Sequence, residues 1–457
     1  MASNRCRTGS SPSYIFLLAL LFVSCATVPQ RDDAFLDDVQ RRTFAYFWDL
    51  ADPKTLLIPD RAPTPSFSSI AAVGFGLTAY GIGAERGYVT RAEAAARALA
   101  TLKSLLANTE ATHKGFYYHF LDMKSGKRFE KVELSTIDSA LLFAGALFCQ
   151  SYFDRDEATE KAIRDAAEEL YARADWQWAQ ARPPAVSMGW YPEKGLHDWD
   201  WRGYNEAMIL YILALGSPTH PVEPSAWTEY TKTYKWGTFY GQPHLLFGPL
   251  FGHQYSHVWI DFRGIQDDAM RAHGIDYFEN SRRGTIAQRA YAIANPSKWR
   301  DYGDDIWGLT ACDGPMDDTI VIDGTPRTFH SYHARGATEG DIRDDGTIAP
   351  TAAASSIPFT PALSIAAMRA MSTRRVYSTY GFLDAFNPTL RTSEKLKHGR
   401  IDPQEGWIDV DYLGIDQGPI IAMVENYRSG LVWAVMRKNA HVVRGLKRAG
   451  FTGGWLQ

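Results

Sequence analysis

Three acidic residues lie at boundaries in the sequence where a polar or aromatic segment is followed by an apolar segment. Asp138 precedes the apolar run Leu141–Phe148, Glu206 follows a tryptophan-rich stretch, and Asp416 lies between two glycines ahead of a third apolar segment. Burial beside apolar residues raises the pKa of a carboxyl group toward the range that a catalytic acid needs. Two carboxyl groups in different surroundings can hydrolyse a glycosidic bond, one as a proton donor and the other as a base or nucleophile.

Each of these carboxyl groups also has a purely structural interpretation. Ser135 or Thr136 can cap a helix with Asp138 in its first turn, Asp416 can itself be a helix cap, and Glu206 can complement a helix dipole. The aromatic residues beside Glu206 favour the catalytic interpretation. We therefore expect Glu206 and Asp138 to be the catalytic pair, with Asp416 orienting water or holding a sugar hydroxyl group.

Aromatic residues are abundant, with 14 Trp and 23 Tyr, and several lie in polar or glycine-rich stretches where helix packing does not demand them. Flat aromatic faces of this kind stack on sugar rings. The residues predicted to bind substrate are Trp201, Tyr204, His253, Gln254, His257, Trp259, Asp261, Trp307 and Tyr412. The pair His253 and His257 has the spacing of a helical zinc site, but no Glu follows the first His, so no metal site is expected.

A helical period dominates the chain from Asp33 onward, and strand patterns are few and short, at Phe116–Phe120 and Thr319–Ile322. The predicted helices cover about 35–48, 67–85, 90–107, 134–154, 157–174, 203–215, 224–232, 267–272, 276–294, 360–372, 379–386, 415–427 and 431–446. The fold class is therefore predicted to be all-α. A single catalytic domain over 31–457 is expected.

Many antiparallel helix pairs can build either an open solenoid or a closed double ring. No fixed repeat period is visible, which argues against a solenoid and favours an (α/α)6 toroid. Three long loops rich in aromatic and polar residues, 175–202, 233–266 and 299–358, are expected to converge on one mouth of that ring.

The composition excludes several classes of function. A net charge of -4 gives no basic surface for nucleic acid. The sequence has no Gly-x-Ser-x-Gly elbow, no Walker A loop and no Gly-x-Gly-x-x-Gly after a strand, so acyl transfer, nucleotide hydrolysis and dinucleotide chemistry lack support.

Residues 1–30 have the pattern of an export signal: Arg5 and Arg7 precede the short apolar run Tyr14–Val23, and Ser24 and Cys25 follow. The segment ending at Cys25 resembles a bacterial lipoprotein processing site, so lipid attachment at Cys25 is expected, with plain secretion or a retained anchor as alternatives. The predicted location is the periplasm or outer membrane of a Gram-negative bacterium. A monomer is expected.

Five segments together resemble the bacterial glucoamylase-like family, which contains the endo-β-1,2-glucanases of glycoside hydrolase family 144. They are Ser135–Leu142, Arg202–Glu206, Gly252–His257, Asp345–Ala354 and Asp411–Pro419. The resemblance runs from about residue 33 to 450. It implies an (α/α)6 fold, no cofactor, inversion at the anomeric carbon, and release of sophorose or short sophoro-oligosaccharides from linear β-1,2-glucan. The family's acidic pocket residues match Asp138, Glu206 and Asp416.

Two alternatives stay open. The stretches Arg335–Glu339 and Asp341–Asp345 look like local additions to the family pattern, so the enzyme could instead release sophorose from chain ends or cut another β-glucan. The second alternative is a glycan-binding surface lipoprotein without catalytic activity.

Overall fold

The computed structural model describes Met1 and residues 30–457. The predicted export signal and its Cys25 lie outside the described residues. Within 30–457, no helix combines the length and the apolar character that crossing a bilayer requires.

The body of the protein is helical. Its α-helices are α1 (Gln30–Asp49), α2 (Ile70–Arg86), α3 (Arg91–Ala107), α4 (Thr136–Tyr152), α5 (Ala158–Ala172), α6 (Met208–Gly216), α7 (Ser225–Thr231), α8 (Tyr255–Trp259), α9 (Asp268–His273), α10 (Tyr277–Ala294), α11 (Pro350–Ala354), α12 (Pro361–Ser372), α13 (Gly414–Arg428), α14 (Leu431–Met436) and α15 (Ala440–Arg448). The helix-rich fold agrees with the predicted class.

Short strands lie in the connections between these helices and form small antiparallel sheets of two or three strands. The strands are β1 (Arg61–Ala62), β2 (Ser68–Ser69), β3 (Thr112–His113), β4 (Phe116–Tyr117), β5 (Phe120–Leu121), β6 (Leu134–Ser135), β7 (Gly189–Tyr191), β8 (Gly195–Leu196), β9 (Trp236–Phe239), β10 (Gln242–Leu245), β11 (Ala311–Cys312), β12 (Asp318–Ile322), β13 (Thr325–Phe329), β14 (His333–Ala334), β15 (Gly336–Thr338), β16 (Asp341–Arg343), β17 (Tyr377–Ser378), β18 (Gly381–Phe382), β19 (Phe386–Asn387), β20 (Arg400–Asp402), β21 (Gly406–Ile408) and β22 (Tyr412–Leu413).

Helices α2, α4, α6 and α13 are buried almost all round, whereas α3 and α5 keep one exposed face. Helix α2 packs against α4 and α13, α4 packs against α6, and α8 touches both α6 and α13. Helices α2 and α4 approach closely, since a Cβ on Gly145 would lie only 2.0 Å from the backbone oxygen of Gly74. Glycine at these positions therefore lets the two buried helices meet backbone to backbone.

Two small sheets set the start of the helices that carry the candidate carboxyl groups. Strand β6 pairs with β7, with Leu134 opposite Trp190, and leads directly into α4. Strand β22 pairs with β1, with Leu413 opposite Arg61, and leads directly into α13. The first turns of α4 and α13 are thus anchored by backbone pairing.

The helix predicted over 379–386 is wrong. Gly381 has a φ of +93° and belongs to β18, and Phe386 begins β19. The apolar residues in this segment have helical spacing by coincidence, because strand pairing in two different sheets buries them. The helix predicted over 431–446 is divided in two, since the Asn439 side chain accepts hydrogen bonds from the backbone of His441 and Val442 and starts α15.

Candidate active site

A cavity of about 390 Å³ lies at the N-terminal end of α4, beside the turn that precedes α6. It brings together two of the three predicted catalytic residues, Asp138 and Glu206, with His119, Glu133 and His197. Its aromatic lining consists of Tyr191, Trp199, Trp201, Phe251, Tyr255 and Tyr332. A larger cavity of about 550 Å³ among β12 to β16 contains neither predicted carboxyl group, so it is not the candidate active site.

Glu206 lies in the turn just before α6. This helix begins at Met208, five residues after its predicted start. Ser256 fixes this turn: its hydroxyl donates to the backbone oxygen of Glu206 at 2.9 Å and accepts from the backbone N–H of Ile209 at 3.0 Å. The carboxyl group is partly exposed toward the cavity. Loss of water around the carboxyl group, with a smaller contribution from the Asp138 charge, raises the pKa of Glu206 to about 7. A carboxyl group with this pKa can donate a proton near neutral pH.

Asp138 lies in the first turn of α4, where both the capping and the functional interpretations apply. The Ser135 hydroxyl accepts from the Asp138 backbone N–H at 3.2 Å and donates to the Asp138 carboxylate. The His119 Nε2 atom lies 3.5 Å from the same carboxylate, and His119 Nδ1 lies 2.8 Å from a Glu133 oxygen. Ser135 and His119 therefore fix the position of the Asp138 carboxyl group.

His119 carries a positive charge at neutral pH. Burial alone would lower its pKa, but the Asp138 charge and the hydrogen bond to Glu133 outweigh burial and raise the pKa of His119 to about 9. The pKa of Glu133 is lowered, because its bond to His119 outweighs its own burial. The cavity thus holds one carboxyl group with a raised pKa opposite a carboxylate that faces an imidazolium ion.

Asp416 lies in the first turn of α13 and does not line the cavity, although its neighbour Ile415 does. Burial, together with the surrounding aspartates, raises the pKa of Asp416 to about 7, against a hydrogen bond from Asp384 that acts to lower it. Tyr255 lies between the two groups: burial and the charges of Asp416, Glu206 and Asp138 all raise the pKa of its hydroxyl. Tyr255 lines the cavity together with Asp138 and Glu206, and the charge of Asp416 also acts on it.

Of the predicted sugar-binding residues, Trp201 lines the cavity, and its Nε1 donates to the Thr136 hydroxyl at 3.0 Å. The others are not among the residues that line it, and for them direct sugar contact stays a prediction. Tyr204 and His253 are buried and bonded to each other at 3.1 Å, and His253 Nε2 bonds to the Phe247 carbonyl. Both nitrogens of His253 are thus occupied within the protein.

The remaining predicted binding residues also have structural partners. His257 is hydrogen-bonded to Ser281, and Trp259 to Thr78. Gln254 is hydrogen-bonded to Ala352 and Ser356, and Asp261 to Arg263 and Arg437. Trp307 is fully buried, and Tyr412 packs edge-on against Tyr380. The segment around His253 looks like a polar surface loop in sequence. It instead forms a short buried helix, α8, between α6 and α13, so its polar side chains turn inward.

Several cavity residues were not predicted as site residues: His119, Glu133, Tyr191, His197, Trp199, Phe251, Tyr255 and Tyr332. Trp199 is 68% exposed and its ring lies 5.6 Å from that of His197, so it offers a free aromatic face at the rim. The tryptophan-rich composition of its loop is the sequence pattern that could have identified Trp199 as a binding residue. For Tyr332, which is 55% exposed, no local pattern existed, because a distant loop brings it to the cavity.

The fold is helix-rich and its cavity contains Asp138 and Glu206, and comparison with known proteins gives the family. The Glycoamylase family model, described as "Putative glucoamylase", matches residues 198–440. The chain belongs to this glucoamylase-like family, which confirms the resemblance found in the sequence.

Particular relatives are similar over nearly the whole chain. A structure from Bacteroides uniformis solved under the same description is 34% identical, with 93% of this chain and 99% of that chain covered and a TM-score of 0.80. An endo-β-1,2-glucanase from Chitinophaga pinensis, solved with sophorotriose and glucose, is 29% identical, with 93% and 99% coverage and a TM-score of 0.79.

A curated relative from Parabacteroides distasonis, named an exo β-1,2-glucooligosaccharide sophorohydrolase (non-reducing end), is 29% identical over 463 residues. The match covers 93% of this chain, which spans 59% of the length of that relative. An endo-β-1,2-glucanase from Talaromyces funiculosus, at 11% identity and a TM-score of 0.62, shares the fold alone.

Proposed function

We propose that this chain is a glycoside hydrolase that cleaves linear β-1,2-glucan to sophorose and short sophoro-oligosaccharides. The observation that carries the proposal is the pairing of Glu206, whose pKa is raised to about 7, with the Asp138 carboxylate in one aromatic-lined cavity. Two carboxyl groups whose surroundings separate their protonation states are the acid and base pair of glycoside hydrolysis. The names of the Chitinophaga and Parabacteroides relatives support the β-1,2-linked substrate.

In the proposed reaction, protonated Glu206 donates its proton to the departing glycosidic oxygen. Asp138, which contacts Ser135 and the charged His119, accepts a proton from the water that attacks the anomeric carbon. Inversion at that carbon requires acid and base to stand roughly 6.5 to 9.5 Å apart, with the water between them. Asp416 acts from behind the cavity wall, where it orients Tyr255 and the water or sugar hydroxyl next to it.

The aromatic walls account for binding of a neutral polymer. Tyr191, Trp199 and Trp201 form one side of the cavity, and Tyr255 and Tyr332 belong to other segments of the chain. Sugar rings can stack on these faces while their hydroxyl groups reach His197 and Glu133. A cavity lined in this way suits an uncharged glucan better than a charged one.

We propose that the helices form an (α/α)6 toroid. Supporting this, α2, α4, α6 and α8 follow one another in contact, Gln254 just before α8 donates to Ala352 of α11, and α13 contacts both α11 and α2. The more exposed α1, α3, α5, α10 and α12 cover them from outside. In this arrangement, residues 31–457 make a single catalytic domain whose loops shape one mouth.

We propose endo cleavage as the main mode. Exo release of sophorose is the alternative, because the Parabacteroides relative is named for it and because the loop bearing Tyr332 reaches the rim of the cavity. A loop of this kind can close one end of a cleft. Export, lipid attachment at Cys25, a periplasmic or outer-membrane location and a monomeric state remain proposals, which mass spectrometry of the N-terminal peptide and size-exclusion chromatography test.

The test is incubation of the purified chain with linear β-1,2-glucan and, in parallel, β-1,3-glucan, β-1,4-glucan and starch, with product sizes followed over time. We expect a ladder of short products from β-1,2-glucan alone. Sophorose as the sole product from the earliest time point would replace the endo mode by the exo mode. Cleavage of another glucan in preference to β-1,2-glucan would overturn the substrate assignment.

A further inference from the structure

Three aspartates from three separate loop segments meet behind the cavity, next to Asp416. Asp313 follows β11, Asp384 lies between β18 and β19, and Asp409 directly follows β21. All three are buried, at 1%, 1% and 0% exposure, and one carboxylate oxygen from each lies within 4.8 Å of the other two. The residues are too far apart in sequence to form a local motif, which is why the sequence predicts no metal site here.

Each of these three carboxylates accepts a hydrogen bond or an ion pair through one of its two oxygens. Arg61 pairs with Asp313 Oδ2, the Asp313 backbone N–H donates to Asp384 Oδ2 at 2.7 Å, and the Val410 backbone N–H donates to Asp409 Oδ1 at 2.6 Å. Among the described residues, no N–H or hydroxyl group donates to the remaining buried oxygens, Asp313 Oδ1, Asp384 Oδ1 and Asp409 Oδ2, although the Asp384 carboxyl group shares a hydrogen bond with that of Asp416. A buried carboxylate oxygen without a partner costs folding free energy, so three together call for a ligand.

Further buried carboxyl groups surround these oxygens. Asp60, Asp411 and Asp416 are buried beside the three aspartates, and the ion pairs that reach the group run from Arg61 to Asp60 and Asp313. Arg335, on the same side, is bonded through its side chain to Asp345. Within residues 30–457, Arg61 therefore pairs with two of these six carboxyl groups.

We propose that Asp313, Asp384 and Asp409 bind one divalent cation, with calcium as the best match. The donor set consists of carboxylate oxygens, which hard cations prefer over the nitrogen and sulfur ligands that zinc and copper favour. Calcium accepts irregular geometry at about 2.3 to 2.6 Å from its ligands, so oxygens within 4.8 Å of one another can share it.

A sugar is a poorer occupant of this position. These three oxygens are buried, and none of the three residues lines the cavity. A hydroxyl group of a bound glucan cannot reach them, whereas an ion fits among the oxygens themselves. The cation would tie together three loop segments behind Asp416, and this role is independent of the substrate proposed above.

The first test uses the full chain after EDTA treatment and dialysis. Calorimetric titration with calcium chloride should give one ion per chain, and metal analysis after dialysis against calcium should give the same stoichiometry. At about a hundredfold excess over Kd, calcium should raise the midpoint of thermal unfolding by at least about 3 °C relative to EDTA. The proposal would be overturned if the chain bound no stoichiometric calcium, magnesium or manganese and the midpoint did not shift. Proton sharing among the carboxyl groups would then explain how they are buried together.

The second test compares two variants of equal charge. Asp409→Asn removes a ligand, whereas Asp411→Asn removes a neighbouring charge and keeps an oxygen to accept from the Thr64 backbone N–H. We expect Asp409→Asn to weaken calcium binding by at least about a hundredfold and to abolish the thermal shift, and Asp411→Asn to weaken binding by less than about tenfold. Equal losses in the two variants would contradict ligation by Asp409. The metal content of the unmodified chain decides the question if Asp409→Asn does not fold.

Discussion

Replacing Glu206 with Gln should stabilise the protein at alkaline pH while it removes the proposed catalytic acid. The ordinary pKa of Glu is 4.5, and burial in the folded state raises that of Glu206 to about 7. Below pH 4.5 the group is protonated in both states and imposes no penalty. As the pH rises from 4.5 to 7, the unfolded chain loses this proton while the folded chain retains it, so folding becomes less favourable.

The magnitude follows from the difference in pKa. At about 1.4 kcal/mol per pKa unit, the full difference corresponds to about 3 kcal/mol, and partial exposure of the side chain reduces this to ~1 to 3 kcal/mol. Gln does not titrate and avoids the penalty. The variant should therefore match the wild type near pH 4.5 and exceed its free energy of unfolding by ~1 to 3 kcal/mol above pH 7.

Urea unfolding of both proteins at about pH 4.5, 6 and 8 measures this difference. Glu133→Gln is the matched control from the same cavity, because the pKa of Glu133 is lowered by His119. Its carboxylate stabilises the folded state above pH 4.5 and loses this effect as the pH falls, so its amide variant should be less stable than the wild type at pH 8. A Glu206→Gln protein that is less stable than the wild type at pH 8, or equally shifted at all three pH values, would refute the reasoning.

Three further predictions concern the surroundings of the site. His119→Gln should lower the thermal midpoint at pH 6 and converge with the wild type above about pH 9, because the raised pKa of His119 stabilises the fold below 6.5 and this effect is lost as the pH rises through about 9. Trp199→Ala should raise KM for β-1,2-glucan about tenfold, from loss of a stacking face, with an unchanged unfolding midpoint; an unchanged KM would remove Trp199 from the binding surface. Arg335→Met should cost about 3 to 5 kcal/mol in urea unfolding because it leaves buried Asp345 unpaired, whereas Arg343→Met, in an exposed pair, should cost less than about 1 kcal/mol; equal costs would contradict this account.

The sequence was most informative where local patterns determine the structure. The helical period predicted most of the longer helices, and the change from polar to apolar residues at Asp138 and Glu206 located two of the three carboxyl groups that line the cavity. These signals are local, because a cap, a first turn and an apolar face lie within a few residues of one another.

The rest depended on tertiary packing. His253 and Trp259 have the composition of a binding loop, yet α8 is enclosed by other helices and both side chains are fully buried. Tyr332 and the three aspartates of the proposed cation site come together only through long loops. No spacing within the sequence encodes such contacts between distant segments.

The most direct test of the central claim compares the initial rate of linear β-1,2-glucan hydrolysis by the wild type, by Glu206→Gln and by the exposed control Glu223→Gln, with binding of a sophoro-oligosaccharide measured by calorimetry on the same samples. The account predicts that Glu206→Gln loses roughly 10² to 10⁴-fold in rate while binding the oligosaccharide within a few-fold of the wild type, and that Glu223→Gln changes neither. A Glu206→Gln protein that hydrolyses the glucan at the wild-type rate would contradict the assignment of the acid. A wild-type protein that binds the glucan without cleaving it would establish a glycan-binding protein in place of an enzyme.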